Sequence, residues 1–364
     1  MRFAPEHDAT TSDRRRAGGL DPESLRCAPV RIALFLPHVG VFGGVRRFLE
    51  LGNTWSAHGH SVALYHPGGE APQWLPFSGR VSMLERAAGE PSDLALCADP
   101  HTYSAFRAHV SAAHLYYCVI ERDAGLDRAI GDGVLLAANS GPLLRAVAAR
   151  SGRRVLDGVG GIRLEQFRPD SSARSAAPLR VLLNGRRSRP KKGTDLVLRA
   201  LAGLRGKVPE FETVLFDSLG PGNAQDPRDG APLPPGARFV LNPTQAELVA
   251  LYQSAHVFVA AERKAGWCNT ALESLACGCA LVCTRSGTTD FARDEDNAIV
   301  VQWRHPFFIR RALSRVLADD ALRSRLSARA PMGLERWSWE ALAKKLLEQV
   351  NEAGAGAKAG RAQR

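Results

Sequence analysis

The chain has 364 residues, 45% of them hydrophobic and 34 of them glycine, enough for two ordinary domains with sizeable cores and many tight turns. No run of about 18 uncharged apolar residues occurs, so nothing in the sequence reads as a bilayer-spanning helix. The formal charge of +11 gathers after residue 177, most densely at Arg180, Arg186, Arg187, Arg189, Lys191 and Lys192. With no aromatic-interleaved basic stripe and no helix-turn-helix or RNA-binding signature, it argues against nucleic acid as a partner.

Residues 1–28 carry Arg14, Arg15 and Arg16 without the apolar core of a secretory signal, and read as a flexible arm. Residues 30–36 form a near-continuous apolar run of the kind a parallel strand buried on both faces requires. A glycine-bearing turn follows, with Gly43 and Gly44. Next comes an amphipathic helix with Val45, Phe48, Leu49, Leu51 and Trp55 apolar and Arg46, Arg47 and Glu50 between them, and then a strand at 61–65. That order is a Rossmann-like opening. It lacks the full dinucleotide fingerprint and has no acidic residue after Tyr65, which argues against NAD.

Further buried strands are predicted at 93–97, 115–120 and 133–137, with a helix at 142–150. The polar segment 170–177 marks a domain boundary. Beyond it the pattern predicts a strand at 179–183, a helix at 194–204, strands at 212–216 and 237–241 around a Pro/Gly-rich loop at 220–236, and a helix at 244–254.

The most informative stretch is Ala265-Gly-Trp-Cys-Asn-Thr-Ala-Leu-Glu273, set between apolar runs at 256–260 and 279–283. It places a strand-to-helix turn inside a βαβ unit, at the sheet edge where ligands bind. Amide groups opening the helix near Asn269, Thr270 and Ala271 would face an anion, and Glu273, one turn further in, would accept hydrogen bonds from sugar hydroxyls. An anion beside a polyol describes a sugar nucleotide. The seven cysteines (Cys27, Cys97, Cys118, Cys268, Cys277, Cys279 and Cys283) include no Cys-x-x-Cys and sit mostly in apolar runs. They read as small core residues in a reducing cytoplasm.

From about Val30 to Val350 the chain resembles the family 4 retaining glycosyltransferases of GT-B fold. Val41-Phe-Gly-Gly-Val-Arg-Arg-Phe48 is similar to that family's first glycine loop, and Gly161-Ile-Arg-Leu-Glu-Gln-Phe-Arg-Pro169 to the segment closing its N-terminal domain. Asn184-Gly-Arg-Arg-Ser-Arg-Pro-Lys-Lys-Gly193 is similar to its phosphate loop, with one extra residue before the lysine. Ala265 to Glu273 and Gly287-Thr-Thr-Asp290 resemble its donor-sugar and ribose region, and Arg336-Trp-Ser-Trp-Glu-Ala-Leu-Ala343 its final helix.

The resemblance implies two Rossmann-like α/β domains facing across a cleft. They are an acceptor domain at 29–175 and a donor domain at 176–335, with a helix at 336–350 crossing back to the first domain and a disordered tail at 351–364. It implies transfer of a sugar from a UDP-, GDP- or TDP-sugar to an acceptor hydroxyl with retention, requiring neither metal nor cofactor. The acceptor would be a glycan, a lipid-linked sugar or a small molecule, and the setting the cytoplasm, with peripheral association at the inner face of the membrane left open. Arg186 and Lys192 (or Lys191, given the extra residue) would neutralise the leaving pyrophosphate, and Glu273 would hold the ribose. Gly43, Gly44, Gly185, Gly266, Trp267, Cys268, Asn269, Thr270 and Ala271 complete the expected donor site.

Two departures stand out. The first glutamate of the family's motif is Ala265 here, which leaves Glu262 as a substitute and a catalytically impaired sugar-nucleotide binder as the alternative. Where the family often has a histidine after the strand at 115–120, Glu121 follows, as a catalytic candidate lining the cleft near the sugar or else a surface partner of Arg122 or Arg128. Asp294-Glu-Asp296 imitates a metal-binding motif of another fold but reads as a turn.

Overall fold

A computed structural model describes residues 28–174, 177–220, 226 and 232–362; residues 1–27 of the predicted arm at 1–28 and much of the loop at 220–236 lie outside them. Two separate parallel sheets organise the chain. The first holds β1 (Arg31–Phe35), β2 (Ser61–His66), β3 (Arg80–Met83), β4 (Ser92–Cys97), β5 (Ser111–Cys118), β6 (Leu135–Ala138) and β7 (Leu156–Asp157), in the order β3-β2-β1-β4-β5-β6-β7. Its helices are α1 (Gly43–Ala57), α2 (Tyr103–Ala108), α3 (Ala124–Gly131) and α4 (Gly141–Ser151).

The second sheet holds β8 (Leu179–Asn184), β9 (Phe211–Asp217), β10 (Ala237–Leu241), β11 (Val257–Ala260), β12 (Ala280–Thr284) and β13 (Ala298–Val301), in the order β10-β9-β8-β11-β12-β13. Around it pack α5 (Thr194–Ala202), α6 (Gln245–Ser254), α7 (Asn269–Ala276), α8 (Pro306–Ala318) and α9 (Asp320–Arg329). Each sheet is covered on both faces by its own apolar clusters, which is why β11 and β12 are buried along their whole length and carry no alternation.

Sheet order fixes where a ligand can sit. In each sheet the winding reverses at the central strand, between β1 and β4 in the first and between β8 and β11 in the second. A crevice opens beyond the carboxyl ends of strands at such a reversal. The loops leaving β1, β8 and β11 are those that carry Gly43, Arg186 to Lys192, and Glu262 to Asn269.

The last helix, α10 (Trp339–Ala362), returns to the first domain. Trp339, Leu342, Ala343, Leu346 and Val350 recur at helical spacing and enter the core of the first sheet. Trp55 Nε1 of α1 donates to Ala343 O at 3.1 Å. Each large apolar side chain buried there contributes about 1.5–3 kcal/mol. The helix runs on to Ala362, past Val350 where the sequence reading ended it and began a disordered tail. Ala, Glu and Lys sustain it as good helix formers in spite of the glycines. Among the described residues no helix is long and apolar enough to cross a membrane.

Candidate functional site

Between the two sheets lies a cleft of about 330 Å³, lined from both domains. That volume falls at the small end of the range for ligand pockets. Gly43, Gly44, Lys191, Lys192, Glu262, Ala265 to Thr270, and Glu273 all reach it, so one hollow gathers most of the residues expected from sequence.

Its floor is built by two helix starts. α1 begins after Phe42 and α7 after Cys268, and neither has a side-chain cap. A Cβ on Gly43 would stand 3.5 Å from Asn269 Nδ2, so the two N-termini meet nose to nose. Both helix dipoles present their positive ends there, where negative charge is favoured.

Lys192 enters from the second domain. It ends a short turn (Pro190–Lys192) closed by Gly193, whose φ of +79° is left-handed. A Cβ at Gly193 would fall 2.2 Å from Ala261 O, so only glycine lets this loop lie on the end of β11. Lys192 Nζ donates to Glu262 Oε1 at 2.7 Å. Glu262 is only 9% exposed and lies 3.6 Å from Cys268 Sγ. The loop carrying it turns through Lys264, which holds a φ of +62°, and Glu262 lines the cleft beside Lys192. Ala265 sits in the same wall, its amide bonded to Ser286 Oγ at 2.8 Å. Burial, then the neighbouring Arg189 and Lys192, hold the Lys191 ammonium below the ordinary lysine range.

Glu273 is 5% exposed and shared between domains. Its Oε1 accepts from Arg46 Nη1 at 2.6 Å, and its Oε2 accepts from the buried Tyr252 hydroxyl at 2.9 Å. Burial, and then the nearby Glu273 carboxylate, push the Tyr252 phenol well above its ordinary range.

Arg186 lines the cleft, but its guanidinium is committed. Nε and Nη2 grip Asp217 at 2.8 and 2.5 Å, and Nη2 also reaches Ser218 O at 3.1 Å. Gly185 does not open on the cleft; a Cβ there would strike Phe239 at 2.5 Å, so it serves packing within the second domain. Ala271 is fully buried behind the start of α7 and can offer only its backbone.

Glu121 is a correction. It lies in a separate surface hollow with Arg122, Asp127 and Arg150, and its carbonyl accepts from Arg150 Nη1 at 3.2 Å. Asp123 caps α3 by accepting from Gly125 N at 3.2 Å, and this turn swings the chain out of the cleft after Ile120. Of the 287–290 stretch, Gly287 meets the donor turn, its carbonyl accepting from Cys268 N at 2.9 Å, but Asp290 points elsewhere. Both its oxygens stand 3.1 Å from the amide of Gly141, so it clasps the N-terminus of α4 instead of joining the donor wall. Asp296 pairs with Arg293 and Arg329, and Glu295 with Arg315. Among the described residues no group of three or more metal-binding side chains occurs.

Sequence reasoning missed Arg46, Gln245 and Asn139, all of which line the cleft. Asn139 is 5% exposed, its Oδ1 has no hydrogen-bond partner, and Gly266 packs directly on it. An Asn at the end of a strand carries no signal of that kind.

The fold and cleft define a two-domain GT-B architecture. It is shared with sucrose-phosphate synthase from Thermosynechococcus elongatus (TM-score 0.72, 17% identity, 90% of this chain and all of that one). Anabaena HepE in complex with UDP and glucose is equally similar (TM-score 0.72, 13% identity, 89% and 100%). In sequence, residues 170–332 match the family described as glycosyl transferases group 1. The chain is 29% identical over 218 residues to a D-inositol 3-phosphate glycosyltransferase of Nocardioides sp. (54% of this chain, 48% of the relative). To that of Saccharomonospora viridis it is 30% identical over 210 residues (53% and 49%). The chain thus spans about half the length of the curated relatives it matches.

Proposed function

We propose that this chain is a glycosyltransferase that moves a sugar from a nucleoside diphosphate donor to an acceptor hydroxyl with retention of configuration. The observation that carries this reading is the convergence, in one cleft at the sheet reversal, of Lys192, two uncapped helix N-termini and the carboxylate of Glu273. A pyrophosphate needs the first two and a ribose diol suits the third. The match of residues 170–332 to a glycosyltransferase family supports the same conclusion.

In this reading the pyrophosphate lies against the start of α7, with Lys192 beside it. As the glycosidic bond breaks, charge collects on the leaving phosphate, where Lys192 and fixed amide dipoles stabilise it without reorganising. Glu262 holds Lys192 in place through the 2.7 Å ion pair. An oxygen of the departing phosphate takes the acceptor proton on the same face, so no protein nucleophile is required. Gly43 and Gly44, at the start of α1, face the donor pyrophosphate, and the rest of the first domain forms the acceptor side. Arg186 acts at one remove, by fixing the loop through Asp217. The six described cysteines are buried and free, which suits a reducing compartment such as the cytoplasm.

The test is to incubate the protein with UDP-, GDP- and TDP-sugars and a panel of glycan, lipid-linked and small-molecule acceptors. Nucleoside diphosphate release and the anomeric configuration of any product are then followed. Release that depends on acceptor and on Lys192, with an anomer matching the donor, is expected; an inverted product or Lys192-independent release would contradict it.

A further inference from the structure

Arg46 occupies one oxygen of the Glu273 carboxylate that the proposed function gives to a ribose diol. It reaches from α1 of the first domain into the second, giving Nη1 to Glu273 Oε1 at 2.6 Å and Nη2 to Gln245 Oε1 at 2.5 Å. Its side chain is 12% exposed, and its guanidinium lies 5.9 Å from the Phe167 ring. Because Tyr252 holds the other oxygen, no part of the Glu273 carboxylate is left without a protein donor. A second place for Arg46 already exists. Glu50, one helical turn along α1 and 2% exposed, stands 3.9 Å from Arg46 Nε. Arg163 shares Glu50, yet burial still raises the Glu50 carboxyl above its ordinary range, so a closer cation there would be welcome.

Resting on the donor reading above, we infer that Arg46 is an internal competitor for the ribose diol. In the arrangement described, it bridges the domains through Glu273 and Gln245. A bound donor takes Glu273, and Arg46 withdraws to Glu50. Nucleotide recognition is thereby coupled to release of an interdomain bridge, and apparent affinity is reduced by the fraction of molecules in which Arg46 holds Glu273.

The experiment is calorimetric titration of the full chain with UDP, GDP and ADP, followed by the 2′,3′-dideoxy counterpart of each one that binds. The wild type is compared with Arg46→Met and with Gln245→Ala, which loosens the bridge while leaving Arg46 and Glu273 in place. Arg46→Met is expected to tighten the diol-bearing nucleotide about tenfold, equivalent to ~1.4 kcal/mol. It should leave the dideoxy form nearly unchanged, so that discrimination between them widens; Gln245→Ala shifts it the same way by less. Binding by the Met variant where the wild type is silent is the strongest support. Equal weakening of both ligands, or an unchanged ratio in both variants, would overturn the competitor role while leaving the donor site intact. No binding by any of the three proteins would overturn the donor reading and this inference together.

Discussion

Arg186 and Asp217 form a bidentate ion pair, with Nε 2.8 Å from Oδ2 and Nη2 2.5 Å from Oδ1, and the carboxylate is only 3% exposed. The arginine expected to face a pyrophosphate is therefore also the partner of a buried charge. Removing one member of such a pair strands the other. Arg186→Ala is expected to destabilise the protein by on the order of 3 kcal/mol in urea unfolding. Lys192→Ala strands Glu262, a less buried charge at 9% exposed, and should cost less stability than Arg186→Ala while losing ~10²–10³ in turnover. A stable Arg186→Ala protein would contradict this division of labour.

Gly193 and Gly43 make a contrasting pair. At Gly193 the left-handed backbone and the 2.2 Å approach of Ala261 O leave no room for a methyl group. Gly193→Ala should cost ~1–3 kcal/mol or more and displace Lys192, cutting turnover as well. At Gly43 the nearest atom to a new methyl is 3.5 Å away, an ordinary contact. Gly43→Ala should melt with the wild type, and any effect should fall on ligand affinity alone. Thermal denaturation of the two variants side by side decides this.

Burial raises the Asp290 carboxyl above its usual range; the Gly141 amide and Arg145 only partly offset that. The folded protein therefore holds the Asp290 proton more tightly than the unfolded chain. The associated stability is present below the ordinary aspartate value near ~3.9 and is lost as pH rises through the higher folded value. Asparagine keeps an oxygen for the Gly141 amide without the charge. Asp290→Asn is expected to melt at or above the wild type at neutral pH, with the difference shrinking toward pH ~4. A variant that melts lower at neutral pH would show instead that the dipole of α4 outweighs the cost of burial.

Asn139 Oδ1 is buried without a partner in the cleft wall. Such an atom costs stability instead of adding to it, and a ligand hydroxyl that reached it would supply the missing donor. Asn139→Ala is expected to change stability by less than ~1 kcal/mol while lowering kcat/KM about tenfold. Unchanged kinetics would remove Asn139 from the site.

The scaffold was legible because parallel strands buried on both faces leave continuous apolar runs; 30–36, 179–183, 256–260 and 279–283 became β1, β8, β11 and β12. The edge strand β3, Arg80–Met83, is half-exposed and gave no such run. The polar face of α1 misled for a related reason. Arg46, Arg47 and Glu50 look like solvent-facing charges, yet Arg47 is 3% exposed, donating to Gly160 O at 2.8 Å and lying over the Tyr117 and Trp339 rings. Helical periodicity reports only the helix's own core; it is blind to a second domain and a returning helix that close over the other face. Motif spacing located the 184–193 loop, but not that its first arginine would be spent on Asp217. Nor could it show that Asp123, by capping α3, would turn Glu121 away from the cleft.

The central claim is that a pyrophosphate rests at Lys192 and the start of α7. The most direct measurement is the affinity gap between a nucleoside diphosphate and its monophosphate, titrated into wild type and Lys192→Ala. The diphosphate should bind far more tightly to the wild type, with the gap largely collapsing in the variant. Equal binding of the two nucleotides by the wild type, or a gap that survives loss of Lys192, would contradict it.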